Sequence, residues 1–138
     1  MSPAETPEEL LKEANICVLA TTGPGGQPHA MPMWYLYHDG VIIFSTGRGT
    51  QKHKNVERNG KATVVVDRRT PPYYAVMVKG DAEAGPPLSA DLKFQLAARY
   101  LGEEGGKAYV SRGGDGDSVT IRVRPRKFVE FHGVSGRS

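Results

Sequence analysis

The sequence holds a single cysteine, Cys17, a single tryptophan, and no long apolar run. One cysteine excludes an intrachain disulfide, and its apolar neighbours predict a buried thiol. No stretch approaches the roughly 20 apolar residues of a membrane-spanning helix, and the acidic first residues lack the basic start of a signal peptide. We therefore expect a cytosolic protein without a membrane segment.

Charge of one sign is not in large excess either. Lysine and arginine number 18 against 15 acidic residues, a net charge of +3, which falls short of the dense basic stripe of nucleic-acid-binding proteins and suits an anionic small molecule. The four histidines show no i, i+4 pairing and no cysteine partner, so no metal site is predicted. Motifs for a serine nucleophile or a Walker loop are also missing. Any catalysis is therefore expected to rely on a bound cofactor.

What is present predicts one mainly β domain, residues 1–138. The 17 glycines and 10 prolines punctuate short strand-like runs, and the runs at 62–67 and 73–83 are apolar on both faces, which indicates a barrel interior on one side and a helix or partner subunit on the other. We predict six or seven antiparallel strands in a small barrel, with a core over about 15–132 and a disordered tail at 133–138. The predicted strands are 16–22, 28–37, 41–44, 62–67, 73–83 (with a bulge at Gly80), 119–123 and 127–131, and the helices are 7–14, 51–58 and 89–101.

The segment FSTGRGTQKHKNV, residues 44–56, contains no acidic residue and carries the candidate site. It leaves an apolar strand, bends at two glycines and enters a short helix for which Thr50 is a candidate N-cap. Hydroxyl groups and a helix N-terminus favour an anion such as a phosphate. The alternative is a solvated charged turn. The candidate ligands are Ser45, Thr46, Arg48, Gln51, Lys52 and Lys54.

Met33 and Trp34 belong to the predicted strand 28–37, which we expect to pair with the strand that leads into Ser45 and Thr46. They would then form a flat apolar surface beside the anion site, on which a planar ring could stack. The alternative is that Trp34 only fills the core or a dimer contact.

The order of these elements resembles the pyridoxamine 5′-phosphate oxidase-like family, especially its branch of deazaflavin (coenzyme F420)-dependent reductases. The resemblance covers residue 15 to about 124 and rests on LATTGPGGQPHAMPMWYLYHDG (19–40), FSTGRGTQKHKNVERNGKATVVVD (44–67) and MVKGDAEA (77–84). It implies an FMN-binding-type split β-barrel that forms a homodimer with two cofactor sites at the subunit interface. It also implies that Lys52, aided by Gln51, Ser45, Thr46 and Arg48, holds the cofactor phosphate, and that Met33 and Trp34 neighbour the tricyclic ring.

One departure from the family pattern bears on the cofactor. The FMN-dependent oxidases carry Arg-x-x-x-x-Lys on the second strand, where this chain has HAMPMW (29–34), with neither cation. The difference favours coenzyme F420, whose phosphate and glutamyl tail could use Arg48, Lys52, Lys54, Arg68 and Arg69.

We therefore expect an F420-dependent reductase that transfers a hydride to an unsaturated small molecule. Water, Tyr35 and Tyr74 are candidate proton donors. The alternatives are an FMN-binding oxidase or reductase of the same fold, and a carrier that binds a cofactor or haem without catalysis.

Overall fold

The computed structural model describes residues 3–112 and 116–133. In these residues seven antiparallel strands form one sheet, in the order β2-β1-β5-β6-β7-β4-β3, which curls into a half-barrel. The predicted fold class is thereby confirmed. The strands are β1 (Cys17–Thr22), β2 (Pro28–Met33), β3 (Leu36–His38), β4 (Val41–Gly47), β5 (Lys61–Arg68), β6 (Tyr74–Gly85) and β7 (Ser118–His132), and the helices are α1 (Pro7–Lys12), α2 (Gln51–Asn59) and α3 (Ala90–Arg112), with a 3₁₀ turn at Pro24–Gly26.

The main core lies on the concave, inner face of the sheet. Alternate side chains of β5 and β6 point into it, and Val64, Val66, Val76 and Val78 are fully buried. The outer face of the same strands is apolar but only half-buried at Val65 and Met77. The two-sided apolar pattern in the sequence therefore corresponds to a packed inner face and a partly uncovered outer face.

The first helix begins at a capping box. The Thr6 hydroxyl accepts a hydrogen bond from the Glu9 backbone N–H at 3.2 Å, and the Glu9 carboxylate accepts one from the Thr6 N–H at 3.2 Å. Leu10 and Leu11 are fully buried and hold the helix against the core. The helix ends at Lys12, two residues before the predicted end.

The single strand predicted at 28–37 is wrong, because the chain leaves the ladder at Trp34 and Tyr35. The Tyr35 N–H donates to the hydroxyl of Tyr100 at 3.1 Å instead of to a strand, and the Tyr35 hydroxyl donates to the carbonyl of Leu11 at 2.8 Å. β2 pairs with β1, whereas β3 pairs with β4. The break therefore carries the chain from one edge of the sheet to the other.

The predicted end of the third helix near residue 101 is also wrong. The Ser89 hydroxyl caps its start by accepting from the Leu92 N–H at 3.2 Å, but the helix continues to Arg112 through a break at Gly102, where φ is 80° and ψ is 172°. Such a backbone conformation is open to glycine without strain. The helix end predicted near residue 101 is thus a kink between two helical pieces.

The two last predicted strands are one strand, β7, which runs through Pro125. Proline is tolerated there because the register shifts between Lys79 and Gly80, the predicted bulge, which is confirmed. A Cβ at Gly80 would lie 2.6 Å from the carbonyl oxygen of Arg124, so the bulge requires glycine. Residues 134–138 of the predicted disordered tail lie outside the described residues.

Candidate functional site

The anion site predicted from the sequence lies where β4 runs into α2. Gly47 pairs with Ser118 at the end of β4, and Gly85 pairs with Thr120 at the end of β6, so α2 lies at the end of the barrel where β4 and β6 finish. We call this the α2 end. The opposite end, where β6 begins and the Tyr35 hydroxyl meets α1, is the α1 end.

The turn between β4 and α2 is built by glycine and threonine. Gly49 has a φ of 80°, a conformation that favours glycine. Thr50 is the N-cap residue, but its hydroxyl donates to the carbonyl of Gly47 at 2.9 Å and does not accept from the helix. Because the usual side-chain cap is missing, the first N–H groups of α2 remain available to an outside acceptor.

His53 holds this turn in place, a role that the sequence analysis missed. Its ring is buried, and its Nδ1 accepts a hydrogen bond from the Gly49 N–H at 2.9 Å. Its Nε2 lies 3.4 Å from the Glu57 carboxylate. The i, i+4 spacing of Gly49, His53 and Glu57 is the signal that could have indicated the arrangement.

The two lysines of α2 do not lie on the same side of the helix. A spacing of two residues rotates Lys54 by about 200° from Lys52. Lys52 is half-buried and Lys54 is exposed. Within the described ranges neither ammonium group has an acidic partner, which leaves both available to an anion.

Arg48, in contrast, has an acidic partner, Asp117, which is distant in the sequence and could not be inferred from residues 44–56 alone. Its guanidinium lies 3.4 Å from the Asp117 carboxylate, and its N–H donates to the Asp117 carbonyl at 2.8 Å. Both side chains are largely exposed, so the ion pair is weak and open to exchange with another anion.

Gln51 starts a polar network that connects α2 to β1. Its side-chain amide donates to Asn55 Oδ1 at 2.7 Å, and the fully buried Asn55 donates from Nδ2 to the Thr21 hydroxyl at 3.0 Å. Arg58 also donates to Asn55 Oδ1, at 3.3 Å. Asn55 and Thr21 lie 34 positions apart in the sequence, so their pairing could not be predicted from spacing.

Ser45 and Thr46 point to opposite faces of β4. Thr46 is buried on the inner face, with its hydroxyl 3.5 Å from that of Thr50. Ser45 is half-buried on the outer face, on the same side as Ile43. Only Thr46 of this pair is therefore brought to the start of α2.

Trp34 lies in the second, smaller apolar cluster, beneath α3. Its indole stacks on the ring of Tyr100 with centroids 4.8 Å apart and planes at 12°, and it packs with Leu36 and Ile43. β3 and β4 are antiparallel, and Leu36 lies opposite Ile43. Trp34, two residues before Leu36, therefore lies toward Ser45, two residues after Ile43. One face of the indole is already covered, so a planar ligand would have to use the other face or the edge.

β2 is an exposed edge strand with an apolar sequence. Met31 is 42% exposed, and Met33 is half-buried against the main core. His29 lies opposite Thr21 in the ladder with β1, and its Nδ1 is buried without a hydrogen-bond partner among the described residues. Buried polar atoms are almost always satisfied, so a water or ligand atom bound at this edge would complete the hydrogen bonding of Nδ1.

The two candidate proton donors lie at the α1 end. Tyr35 donates to the Leu11 carbonyl, and Tyr74 donates to the Glu130 carboxylate at 2.6 Å. Burial raises the pKa of both phenols. Tyr74 lies about 25 Å along β6 from Ala82, whose N–H donates to Gly60 after α2. Both hydroxyls are therefore bonded to partners at the α1 end.

Arg68 and Arg69 also lie at the α1 end, contrary to the expectation that they extend the same cationic rim. Arg68 donates to the carbonyls of Ala4 and Pro72 and lies 3.7 Å from the Glu13 carboxylate. Arg69 lies 3.5 Å from Asp67. Arg68 is the last residue of β5 and Arg69 follows it, about 23 Å from Lys61 along the strand.

Residues 3–112 and 116–133 contain neither a metal-binding cluster nor a membrane-spanning helix. In these ranges no group of three or more His, Cys, Asp or Glu side chains is arranged to hold a metal ion. No helix there has the length and apolar content needed to cross a membrane.

A seven-stranded half-barrel, with an uncapped, cation-bearing helix at the exit of its fourth strand, defines a split-barrel protein with a phosphate-compatible site. The chain belongs to the pyridoxamine 5′-phosphate oxidase family, whose family model matches residues 4–131. That family includes oxidoreductases. No curated protein sequence matches the chain.

Solved structures of similar proteins carry different descriptions. An F420 reductase is 29% identical, with a TM-score of 0.75 over 92% of this chain and 98% of its own. A conserved hypothetical protein from Mycobacterium tuberculosis is 24% identical, with a TM-score of 0.75 over 94% of this chain and 86% of its own. A FAD-binding protein from Mesorhizobium loti is 22% identical, with a TM-score of 0.65 over 89% of each chain. The last two, below 25% identity, show the fold alone.

Proposed function

We propose that the protein is an F420-dependent oxidoreductase that works as a homodimer and reduces an unsaturated or electrophilic small molecule. The observation that carries the proposal is the uncapped start of α2 with Lys52 beside it, taken with 29% identity to an F420 reductase over 92% of the chain. The absence of both second-strand cations at residues 29–34 supports a deazaflavin over FMN.

The residues at this site fit a phosphate-bearing cofactor. Because the Thr50 hydroxyl donates to the Gly47 carbonyl, the first N–H groups of α2 remain free. The helix dipole also favours negative charge at this N-terminus. Lys52 adds a full positive charge, and Thr46 and Gln51 add hydrogen-bonding groups. Arg48 lies beside this centre but is paired with Asp117, whereas Ser45 and Lys54 lie on other faces of β4 and α2, so all three would contribute less.

The edge formed by β2 and the β2–β3 connection would receive the ring. Met31 and Met33 offer an apolar surface there, and the part of Trp34 not covered by Tyr100 and Tyr109 bounds it. The unpartnered Nδ1 of His29 is available to a polar ring or phosphate atom. When bound, the reduced deazaflavin supplies the hydride, so the chain itself needs no nucleophile. Because the buried Tyr35 hydroxyl is bonded to the Leu11 carbonyl and the Tyr74 hydroxyl to Glu130, both at the α1 end, we assign proton delivery to solvent water.

The test is a fluorescence titration of the cofactor-free protein with coenzyme F420 and, separately, with FMN. We expect F420 to bind more tightly, and the complex in its reduced form to be reoxidised by an activated alkene. If the protein purifies with stoichiometric FMN, keeps it through gel filtration and ignores F420, the cofactor assignment is wrong and only the fold assignment stands. Tight F420 binding with no turnover for any acceptor would indicate a carrier.

A further inference from the structure

The turn between β4 and α2 uses its own backbone donors inside the protein. Each of its three residues, 48–50, has its N–H group bonded. The bonds join the Arg48 N–H to the Asp117 carbonyl at 2.8 Å, the Gly49 N–H to Nδ1 of His53 at 2.9 Å and the Thr50 N–H to the Gly47 carbonyl at 3.3 Å. An anion can use only those backbone donors that the protein leaves unpaired. The turn therefore offers no N–H group to a ligand.

The next three N–H groups, in the first turn of α2, are unpaired. Among the described residues, the N–H groups of Gln51, Lys52 and His53 have no acceptor. The Lys54 N–H already donates to the Thr50 carbonyl at 3.0 Å. The three unpaired groups point toward the N-terminal end of the helix, where the helix dipole favours negative charge. An anion at this end would therefore meet three helix donors and no donor of the turn.

The bond from Gly49 determines which ring nitrogen of His53 carries the proton. A backbone N–H can only donate, so Nδ1 is the unprotonated, accepting nitrogen, and the proton of the neutral imidazole lies on Nε2. Nε2 in turn faces the Glu57 carboxylate at 3.4 Å, one helical turn further along. The side chain of His53 is only 6% exposed, so the ring has little contact with water. Gly49, His53 and Glu57 thus form one series from donor to acceptor.

This series restrains the residue that most needs restraint. Gly49 has a φ of 80°, and a Cβ there would meet nothing within 4 Å, so the backbone conformation and not the space requires glycine. Glycine also has the most conformational freedom to lose on folding. A hydrogen bond to a buried ring holds it in one conformation, and the chain then enters α2 in a fixed direction.

We propose that His53 is a positioning residue for the anion site and that Glu57 keeps its ring in the required tautomer. By accepting the Gly49 N–H, the ring withholds that donor from the ligand and fixes the backbone before α2. The anion is then held by the N–H groups of residues 51–53 and by the ammonium group of Lys52. The proposal rests on the proposed function in one respect, the identification of the anion as the cofactor phosphate.

The first experiment separates the position of the acceptor from the presence of a polar side chain. In His53→Asn the amide oxygen occupies the position of Nδ1, whereas in His53→Gln it lies one bond further out, near the position of Nε2. The control His38→Gln makes the same change at a histidine that lies beside Asp39, at the end of β3. Coenzyme F420 and, separately, FMN are titrated by fluorescence into each protein.

We expect His53→Gln to bind the cofactor roughly 2- to 10-fold more weakly than the wild type, as the loss of one neutral hydrogen bond would give. His53→Asn and the control should bind within about 2-fold of the wild type, because the acceptor for Gly49 is kept. Both variants at position 53 lose a buried ring and should unfold at a lower temperature. Rescue of binding by asparagine therefore distinguishes positioning from packing.

The second experiment observes the hydrogen bond itself. In ¹⁵N-labelled wild type, an N–H···N bond produces a scalar coupling between the two nitrogens that it joins, here those of the Gly49 amide and of Nδ1 in His53. Inorganic phosphate should shift the amide signals of Gln51, Lys52 and His53 and leave this coupling in place. The same addition to His53→Gln should give smaller shifts.

Failure of this proposal and failure of the proposed function give different results. If His53→Gln binds F420 like the wild type, or His53→Asn loses as much affinity as His53→Gln, the ring does not position the site and the proposed function stands. A coupling that is absent, or that disappears when phosphate binds, also contradicts the role of His53. If the wild type binds neither F420 nor FMN, the proposed function fails. The phosphate titration and the coupling then decide on His53 alone, and no shift at residues 51–53 would overturn the proposal.

Discussion

At the scale of single residues, the candidate site depends on which side of α2 a lysine occupies. Lys52 and Lys54 have identical chemistry and belong to the same helix, yet two positions of separation place them on different sides. Lys52 is the half-buried member and lies within the first turn, where the helix dipole acts most strongly on an anion. Lys54 therefore provides a matched control for Lys52.

We predict that Lys52→Ala weakens binding of the cofactor by about 1.5–3 kcal/mol, the range for a hydrogen bond to a charged group. The melting temperature of the ligand-free protein should hardly change, because Lys52 has no acidic partner in the described residues. Fluorescence titration and calorimetry measure the two quantities. Lys54→Ala should weaken binding less. If Lys52→Ala binds the cofactor like the wild type, residues 44–56 are only a solvated turn.

At the scale of elements, the β6–β7 pair shows how one backbone irregularity determines both packing and surface charge. The bulge accommodates Pro125 inside a long strand and turns Arg126 outward beside Lys127. It depends on Gly80, where any Cβ would meet the Arg124 carbonyl oxygen and the Val123 side chain at 2.6 and 2.8 Å. Backbone atoms at that distance cannot move aside cheaply.

Gly80→Ala is therefore expected to lower the free energy of unfolding by about 1–3 kcal/mol, the range for overpacking a close-packed site. Urea denaturation measures this directly. Gly85→Ala, also on β6, is the control, because its Cβ would meet the Thr120 hydroxyl at 3.1 Å, a side-chain group that can shift. Equal losses for the two variants would show that the bulge has no special need for glycine.

At the scale of the whole molecule, the outer face of the sheet carries a row of partly exposed apolar residues. Val18, Val65, Met77 and Val129 are successive partners across four strands, so they form one continuous apolar row. All four are partly exposed, and Phe131, 46% exposed, extends the row toward the α1 end. Apolar surface of this extent is typical of an interaction site.

We predict that two copies of the chain cover this row in each other, since burial contributes about 25 cal/mol per Å² of apolar surface. Light scattering at micromolar concentration should give a mass near twice the 15.0 kDa of the chain. Met77→Glu, at the centre of the row, should shift the mass toward the monomer. Leu101→Glu, which replaces an exposed apolar residue of α3, should leave it unchanged. A monodisperse wild-type monomer would contradict the dimer and the shared cofactor site.

The sequence by itself determined the elements whose cause is local. The Thr6–Glu9 capping box, the left-handed Gly60 that ends α2 and the exit of β4 into α2 each depend on residues within about four positions. Local hydrogen bonds and backbone preferences need no knowledge of the fold. The mainly β class followed for the same reason, because alternation and glycine-rich turns are properties of short segments.

Only the tertiary structure decided the contacts between distant segments. The Tyr100 hydroxyl accepts a hydrogen bond from the Tyr35 N–H, 65 positions away, and this bond interrupts the predicted strand 28–37. Asn55 donates to Thr21, which is 34 positions away, and Arg48 pairs with Asp117. Arg68 lies opposite Tyr74 in the β5–β6 ladder and thus at the end of the barrel opposite to α2. The physical reason is that such pairs depend on strand order and register, and a strand's own residues specify which face they bury but not which strand lies beside them.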